Sequence, residues 1–104
     1  MSVRVAALQS EIVWEDPEAN FTRLDPWIER AAAHGARLLV LPEMFACGFT
    51  MDTARVAEPV DGPSTTFLVE RAARHDLWLA GSVPELPSGD GRPANTLLLV
   101  SPTG

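Results

Sequence analysis

Leu38-Leu39-Val40-Leu41 runs without a polar side chain into Pro42, and one acid, Glu43, follows at once. An unbroken Leu/Val run of this kind reads as a strand buried on both faces, the pattern of a parallel sheet. Pro42 has no N–H to give to a ladder, so the strand must stop there. Glu43 is thereby placed just past the carboxyl end of a buried strand, the edge at which open α/β sheets bind ligands. Met44, Phe45 and Phe49 flank it. Among apolar neighbours a carboxyl group is harder to ionise, which suits general-base work. The residues alone leave a second reading open, a solvated loop acid that happens to follow a strand.

The flanking segments supply the rest of an α/β unit. Val3 to Leu8 reads as a first strand, with Gln9, Ser10 and Glu11 as loop polarity at its end. Asp16-Pro17-Glu18 is a helix start, with a capping side chain, Pro at the first helical position and an acid in the first turn. Phe21, Leu24, Ile28, Ala31 and Ala32 then recur at helical spacing, and Gly35 after His34 is the expected stop. Pro26, inside this helix, removes one backbone hydrogen bond and is expected to kink or split it, with Asp25 able to cap the second half. Strand, helix and strand (Arg37–Leu41) with short links make a right-handed, parallel βαβ unit.

Ala46 to Pro63 shows no helical or strand period and reads as a long ordered loop. Its neighbourhood from Phe45 to Met51 is either a wall of a pocket beside Glu43 or a surface excursion packed by Phe49 and Met51. Asp61-Gly62-Pro63-Ser64 opens a second helix that runs to about His75, with Phe67, Leu68 and Ala72 inward and Glu70 and Arg74 able to pair outside. Leu77 to Val83 is a third strand, Pro84 to Pro93 a turn region, and Asn95 to Val100 a fourth strand. So short a connection cannot make a parallel crossover, so these strands should pair antiparallel. Glu85 reads most economically as a solvated turn acid; the alternative is a polar residue in the outer surroundings of the site. Ser101-Pro102-Thr103-Gly104 begins another tight turn.

Composition narrows the function classes. A chain of 104 residues is at most one small domain. A net charge of −6 argues against nucleic acid and anionic membranes as partners. One cysteine makes no internal disulfide, which points to a reducing compartment, the cytoplasm. The N-terminus lacks the apolar core of a signal peptide, and no apolar run approaches the ~20 residues that span a bilayer. No CxxC, HExxH, GxGxxG or phosphate-loop motif is present, so no metal or cofactor is expected.

Leu41-Pro42-Glu43-Met44-Phe45-Ala46-Cys47-Gly48-Phe49-Thr50-Met51 resembles the first catalytic segment of the nitrilase, or carbon–nitrogen hydrolase, superfamily. The likeness extends from Val3 to Gly104, and the segment is most similar to the omega-amidase-like branch. The elements read above make an α/β fold, a mixed sheet of four strands with two helices, and the resemblance implies that it is the N-terminal part of a four-layer α-β-β-α sandwich. Residues 1–104 would be the N-terminal fragment of a single carbon–nitrogen hydrolase domain. The resemblance also implies a Glu–Lys–Cys triad with Glu43 as general base, acting with water on small dicarboxylic monoamides such as 2-oxoglutaramate. A homo-oligomer is compatible with the intact protein.

Two of the three triad members have no counterpart on this chain. All 8 basic residues are Arg, and Cys47, four residues after Glu43, does not match the family's nucleophile, which follows a later strand. Cys47 reads as a small buried hydrophobe in preference to a reactive thiol. The chain alone is therefore expected to be inactive, with the Lys and the nucleophile beyond Gly104. From a different class, the residues also allow a non-catalytic α/β module that binds through the Glu43 edge.

Overall fold

A computed structural model of the protein describes residues 2–86 and 92–104. Strand β1 (Val5–Ala7) leads into helix α1 (Pro17–Ala33) and strand β2 (Leu38–Val40). A single turn of helix, α2 (Thr53–Val56), and a two-residue strand, β3 (Glu58–Pro59), follow. Helix α3 (Pro63–His75) and strands β4 (Trp78–Leu86) and β5 (Ala94–Val100) complete the described chain.

The expected βαβ unit is present. β1 runs parallel to β2 with Ala6 opposite Leu39, and β2 parallel to β4 with Leu39 opposite Leu79. β4 and β5 are antiparallel, with Ser82 opposite Leu97 and Pro84 opposite Asn95. Residues 87–91, the middle of the turn expected over 84–93, lie outside the described residues. β3 joins in parallel at Glu58 opposite Glu85. Since β5 occupies one edge of β4 over 79–85, β2 and β3 share the other edge, one after the other along a single long strand.

Helix α1 starts as its sequence demands: the Asp16 carboxylate accepts the Ala19 N–H at 3.2 Å, and Pro17 occupies the first turn. It ends at His34, and Gly35 turns the chain away at φ 86, a left-handed conformation that glycine adopts without a Cβ penalty. The helix does not split at Pro26. The lost hydrogen bond there costs about 3 kcal/mol, and burial of Leu24 and Ile28 on either side offsets it at roughly 1.5–3 kcal/mol each. Asp25 caps nothing. It bridges to Arg71 of α3 through two bonds, from Nε at 2.8 Å and from the second guanidinium nitrogen at 3.0 Å. Glu70 meets Arg71 as well, at 3.1 Å, instead of the Arg74 expected from their spacing.

Leu24 and Ile28 of α1, Phe67, Leu68 and Ala72 of α3, and Leu39, Leu79, Val83 and Val100 of the sheet form one buried cluster. Both long helices therefore lie on the same side of the sheet. On the other face Val40 and Trp78 are exposed, and Leu97 and Leu99 are 72% and 61% exposed. The Leu38–Leu41 run is thus buried on one face, not both, because nothing among the described residues covers the second.

Two further expectations are corrected. The segment from Ala46 to Pro63 holds α2 and β3, elements of one turn and two residues that are too short to show a period. Glu85 is a buried strand residue and not a solvated turn acid, because β4 continues through Pro84 with β3 on one edge and β5 on the other.

Candidate active site

The ladder between β2 and β4 closes with the Leu41 N–H donating to the Ala80 carbonyl at 2.8 Å, and Pro42 has no donor to continue it. The chain turns at once. Met44 sits at φ 53, left-handed and without glycine's freedom, a conformation that persists only where its surroundings fix it. Here they do. The Met44 N–H donates to Ser82 Oγ on β4 at 2.9 Å. Asn20 Nδ2, from the first turns of α1, donates to the Ala46 carbonyl at 2.7 Å, and the Glu15 N–H donates to the Cys47 carbonyl at 2.8 Å. Asn20 is buried and also bonds both backbone groups of Val13, so its amide is fully engaged. The turn that carries Glu43 is therefore tied to α1, to the loop before it and to β4.

The Glu43 side chain leaves this turn on the open face of the sheet. Its carboxylate oxygen Oε2 accepts a hydrogen bond from Asn95 Nδ2 on β5 at 3.0 Å. β4 lies between β2 and β5, so this bond spans the strand in between. Beneath it is a groove of about 380 Å³, lined by Val40 of β2 and Leu41 just past it, Ala80 to Ser82 of β4, and Asn95 and Leu97 of β5. Glu43 itself is exposed. Among the described residues the apolar enclosure expected around it is absent, because Phe45 turns the other way, into the core, where it packs at 6.4 Å from Phe21 and 6.1 Å from Phe67, centroid to centroid. Phe49 and Met51 are exposed at 66% and 87%. They line a hollow with Met44 and Asn95 beside the Glu43 groove, so both the pocket-wall and the surface-excursion readings of this loop describe part of what is seen.

Cys47 is buried, and its thiol donates to the Gly48 carbonyl at 3.3 Å. Burial pushes the thiol's pKa above its ordinary value, and the Glu58 and Glu15 carboxylates push it further. A thiol held neutral in this way is a poor nucleophile. Neither histidine approaches this edge by sequence position: His34 closes α1 and His75 ends α3. Glu11, in the loop between β1 and α1, makes an exposed pair with Arg23 at 3.7 Å. Among the described residues no group of three or more His, Cys, Asp or Glu is placed to hold a metal ion. No described helix is long and apolar enough to cross a membrane.

Asn95, Ser82 and Asn20 were not singled out from the sequence. Asn20 carried a usable signal: it stands one turn before Leu24 on the apolar face of α1, and a polar residue there must find buried partners. Asn95 and Ser82 carried none, because their contacts depend on strand register across the sheet.

A carbon–nitrogen hydrolase family model matches residues 4–104 of the chain. The chain belongs to the carbon–nitrogen hydrolase family. Within that family it resembles omega-amidase YafV of Yersinia enterocolitica, with 35% identity over 103 residues, 99% of this chain and 38% of that protein. A nitrilase of Pyrococcus abyssi is 30% identical over 107 residues, 98% of this chain and 40% of that protein. Among solved structures, a carbon–nitrogen hydrolase superfamily protein of Xanthomonas campestris, with an arsenic adduct in its active site, matches with a TM-score of 0.86 at 30% identity, over 96% of this chain and 37% of that one. The mixed α/β sheet and its helices thus match part of the fold of carbon–nitrogen hydrolases. The chain spans about two-fifths of the length of these relatives.

Proposed function

We propose that these residues are the N-terminal part of a single carbon–nitrogen hydrolase domain, and that the intact protein is an amidase in which Glu43 is the general base. The observation that carries this reading is the placement of the Glu43 carboxylate past the carboxyl end of β2, over a groove on the open sheet face. Family membership supplies the reaction class, cleavage of a non-peptide C–N bond.

In this reading Glu43 takes the proton of a Cys thiol supplied beyond Gly104, and the thiolate attacks the amide carbon. A Lys from the same missing part stabilises the oxyanion. The C–N bond breaks, the proton held by Glu43 goes to the leaving nitrogen, and ammonia departs from a thioester. Glu43 then takes a proton from water, which hydrolyses the thioester and restores the thiol. No cofactor enters, and the site of action is the cytoplasm.

The omega-amidase relatives support small dicarboxylic monoamides, such as 2-oxoglutaramate or succinamate, as the substrates. The free carboxylate of such a substrate needs a cationic or hydrogen-bonding partner. Among the described residues lining the groove there is no cation, so this partner belongs to the part beyond Gly104. Ammonia release by the intact enzyme should be compared for 2-oxoglutaramate, succinamate, an aliphatic nitrile and an N-carbamoyl amino acid. The monoamides should give the highest kcat/KM. A preference for the nitrile or the carbamoyl compound would overturn the substrate assignment, and no turnover of any of them would favour a binding module.

A further inference from the structure

Two contacts around Glu43 have no part in the reaction steps above. Asn95 Nδ2 donates to Glu43 Oε2 at 3.0 Å, and Ser82 Oγ accepts the N–H of the next residue, Met44, at 2.9 Å. Both side chains stand on the β4–β5 hairpin and on the same open face, since Ser82 pairs with Leu97 and Pro84 with Asn95. One contact fixes the backbone behind the carboxylate and the other fixes the carboxylate. The orientation of the Asn95 amide follows from its partner: an ionised carboxylate only accepts, so the amide must present its NH₂ group. Its Cβ position is equally determined, because antiparallel register sets Asn95 opposite Pro84.

We propose that Asn95 is a positioning residue for the general base. It turns the Glu43 carboxylate through Oε2, which leaves Oε1 to exchange the proton over the groove. This rests on the reading of Glu43 as general base. A hydrogen bond to a charged acceptor is stronger than one between neutral groups. That bond fixes the carboxylate most firmly once further chain and substrate cover the open face and exclude water, because a hydrogen bond strengthens where the local dielectric is low. Among the described residues lining the groove, drawn from β2, β4 and β5, Glu43 is the only one that titrates. A change at Asn95 therefore acts on Glu43 without a competing neighbour from these strands.

The test uses the intact enzyme with its preferred amide and the variants Asn95→Leu, Asn95→Asp and Asn95→Gln. Leu and Asp keep the size of Asn and remove the donor; Asp also adds a like charge. For both, kcat should fall about 10- to 100-fold, the loss expected for one hydrogen bond to a charged group, with KM changed less than about threefold. Asn95→Gln keeps a donor on a longer stem and should return most of the lost kcat. Unchanged kcat in Leu and Asp would overturn the proposal. So would a loss carried wholly by KM, which would place Asn95 on the substrate, or a loss of kcat that follows a lowered melting temperature and is not returned by Gln, which would make it structural. Glu43→Gln is measured alongside. An active Gln variant removes the general-base reading itself, whereas an inactive one beside wild-type-like Asn95 variants removes only the role of Asn95.

Discussion

A Cβ on Gly81 of β4 would stand 2.8 Å from Cδ1 and Cε1 of the Phe45 ring. No real Cβ tolerates that distance, so Phe45 sits in the core only because residue 81 has no side chain. The pair also ties the site to the core, since Phe45 follows Glu43 by two residues. Gly81→Ala should therefore destabilise the protein by about 1–3 kcal/mol, the usual cost of overpacking. Adding Phe45→Leu, which shortens the opposing side chain, should recover part of that loss. Denaturant midpoints for the two single variants and the double variant check this, and simple additivity would contradict it.

The start of α3 depends on a carboxylate from outside the helix. Glu58 Oε1 accepts the Ser64 N–H at 2.7 Å and Oε2 accepts the Ser64 hydroxyl at 2.5 Å, and Ser64 is fully buried. Gly62, at the N-cap position, has no side chain to do this. Glu58→Ala strands both Ser64 donors and should cost about 1–3 kcal/mol for each. Glu58→Ala made in a Ser64→Ala background should cost less, because only the backbone N–H is then orphaned. Equal costs in both backgrounds would show that the pair is not coupled.

The buried Cys47 thiol gives a pH dependence of definite sign. Its pKa is raised in the folded protein, chiefly by burial, so the folded state keeps the proton longer than the unfolded state does. The associated stability is fully present below the unfolded thiol value of about 8.5 and is lost as pH rises through the folded value. Cys47→Ala removes this titration along with some packing. The variant should be the less stable protein at pH 7, and the gap should narrow as the pH rises above about 8.5. A gap that stays constant across that range would show that the thiol does not titrate differently on folding.

The open sheet face tests the proposal that the chain continues. Leu97 and Leu99 are among the most exposed apolar side chains described. If further chain packs on this face, Leu97→Ala and Leu99→Ala should each destabilise the intact protein by about 2–5 kcal/mol, as for buried leucines. In residues 1–104 alone the same changes should stay within about 0.5 kcal/mol and should lower the binding of an apolar dye. Effects within about 0.5 kcal/mol in the intact protein would mean that the face stays open there.

Features set by one or two adjacent residues were legible in the sequence. Asp16-Pro17 marked the start of α1, Gly35 its end, Pro42 the end of β2, and the short link between β4 and β5 their antiparallel pairing. Each rests on a local constraint: a cap, a missing N–H, a left-handed turn, a length. The failures have the opposite character. Pro26 does not break α1, because tertiary burial on both sides outweighs one hydrogen bond. Glu85 is buried because two other strands flank it, which its Pro-rich surroundings do not reveal. Glu43 was located by the strand that precedes it, but its partner Asn95 is 52 residues away, and only register brings the two together.

The central claim is that Glu43 is the proton-transfer group of an amidase. Glu43→Gln keeps the shape of the side chain and an oxygen that can still accept from Asn95, and removes the basicity. In the intact enzyme, kcat on its preferred amide should fall by about two orders of magnitude or more, with the melting temperature little changed because Gln keeps the shape of Glu and an acceptor for the Asn95 amide. A folded Glu43→Gln enzyme with near-normal kcat would contradict the account.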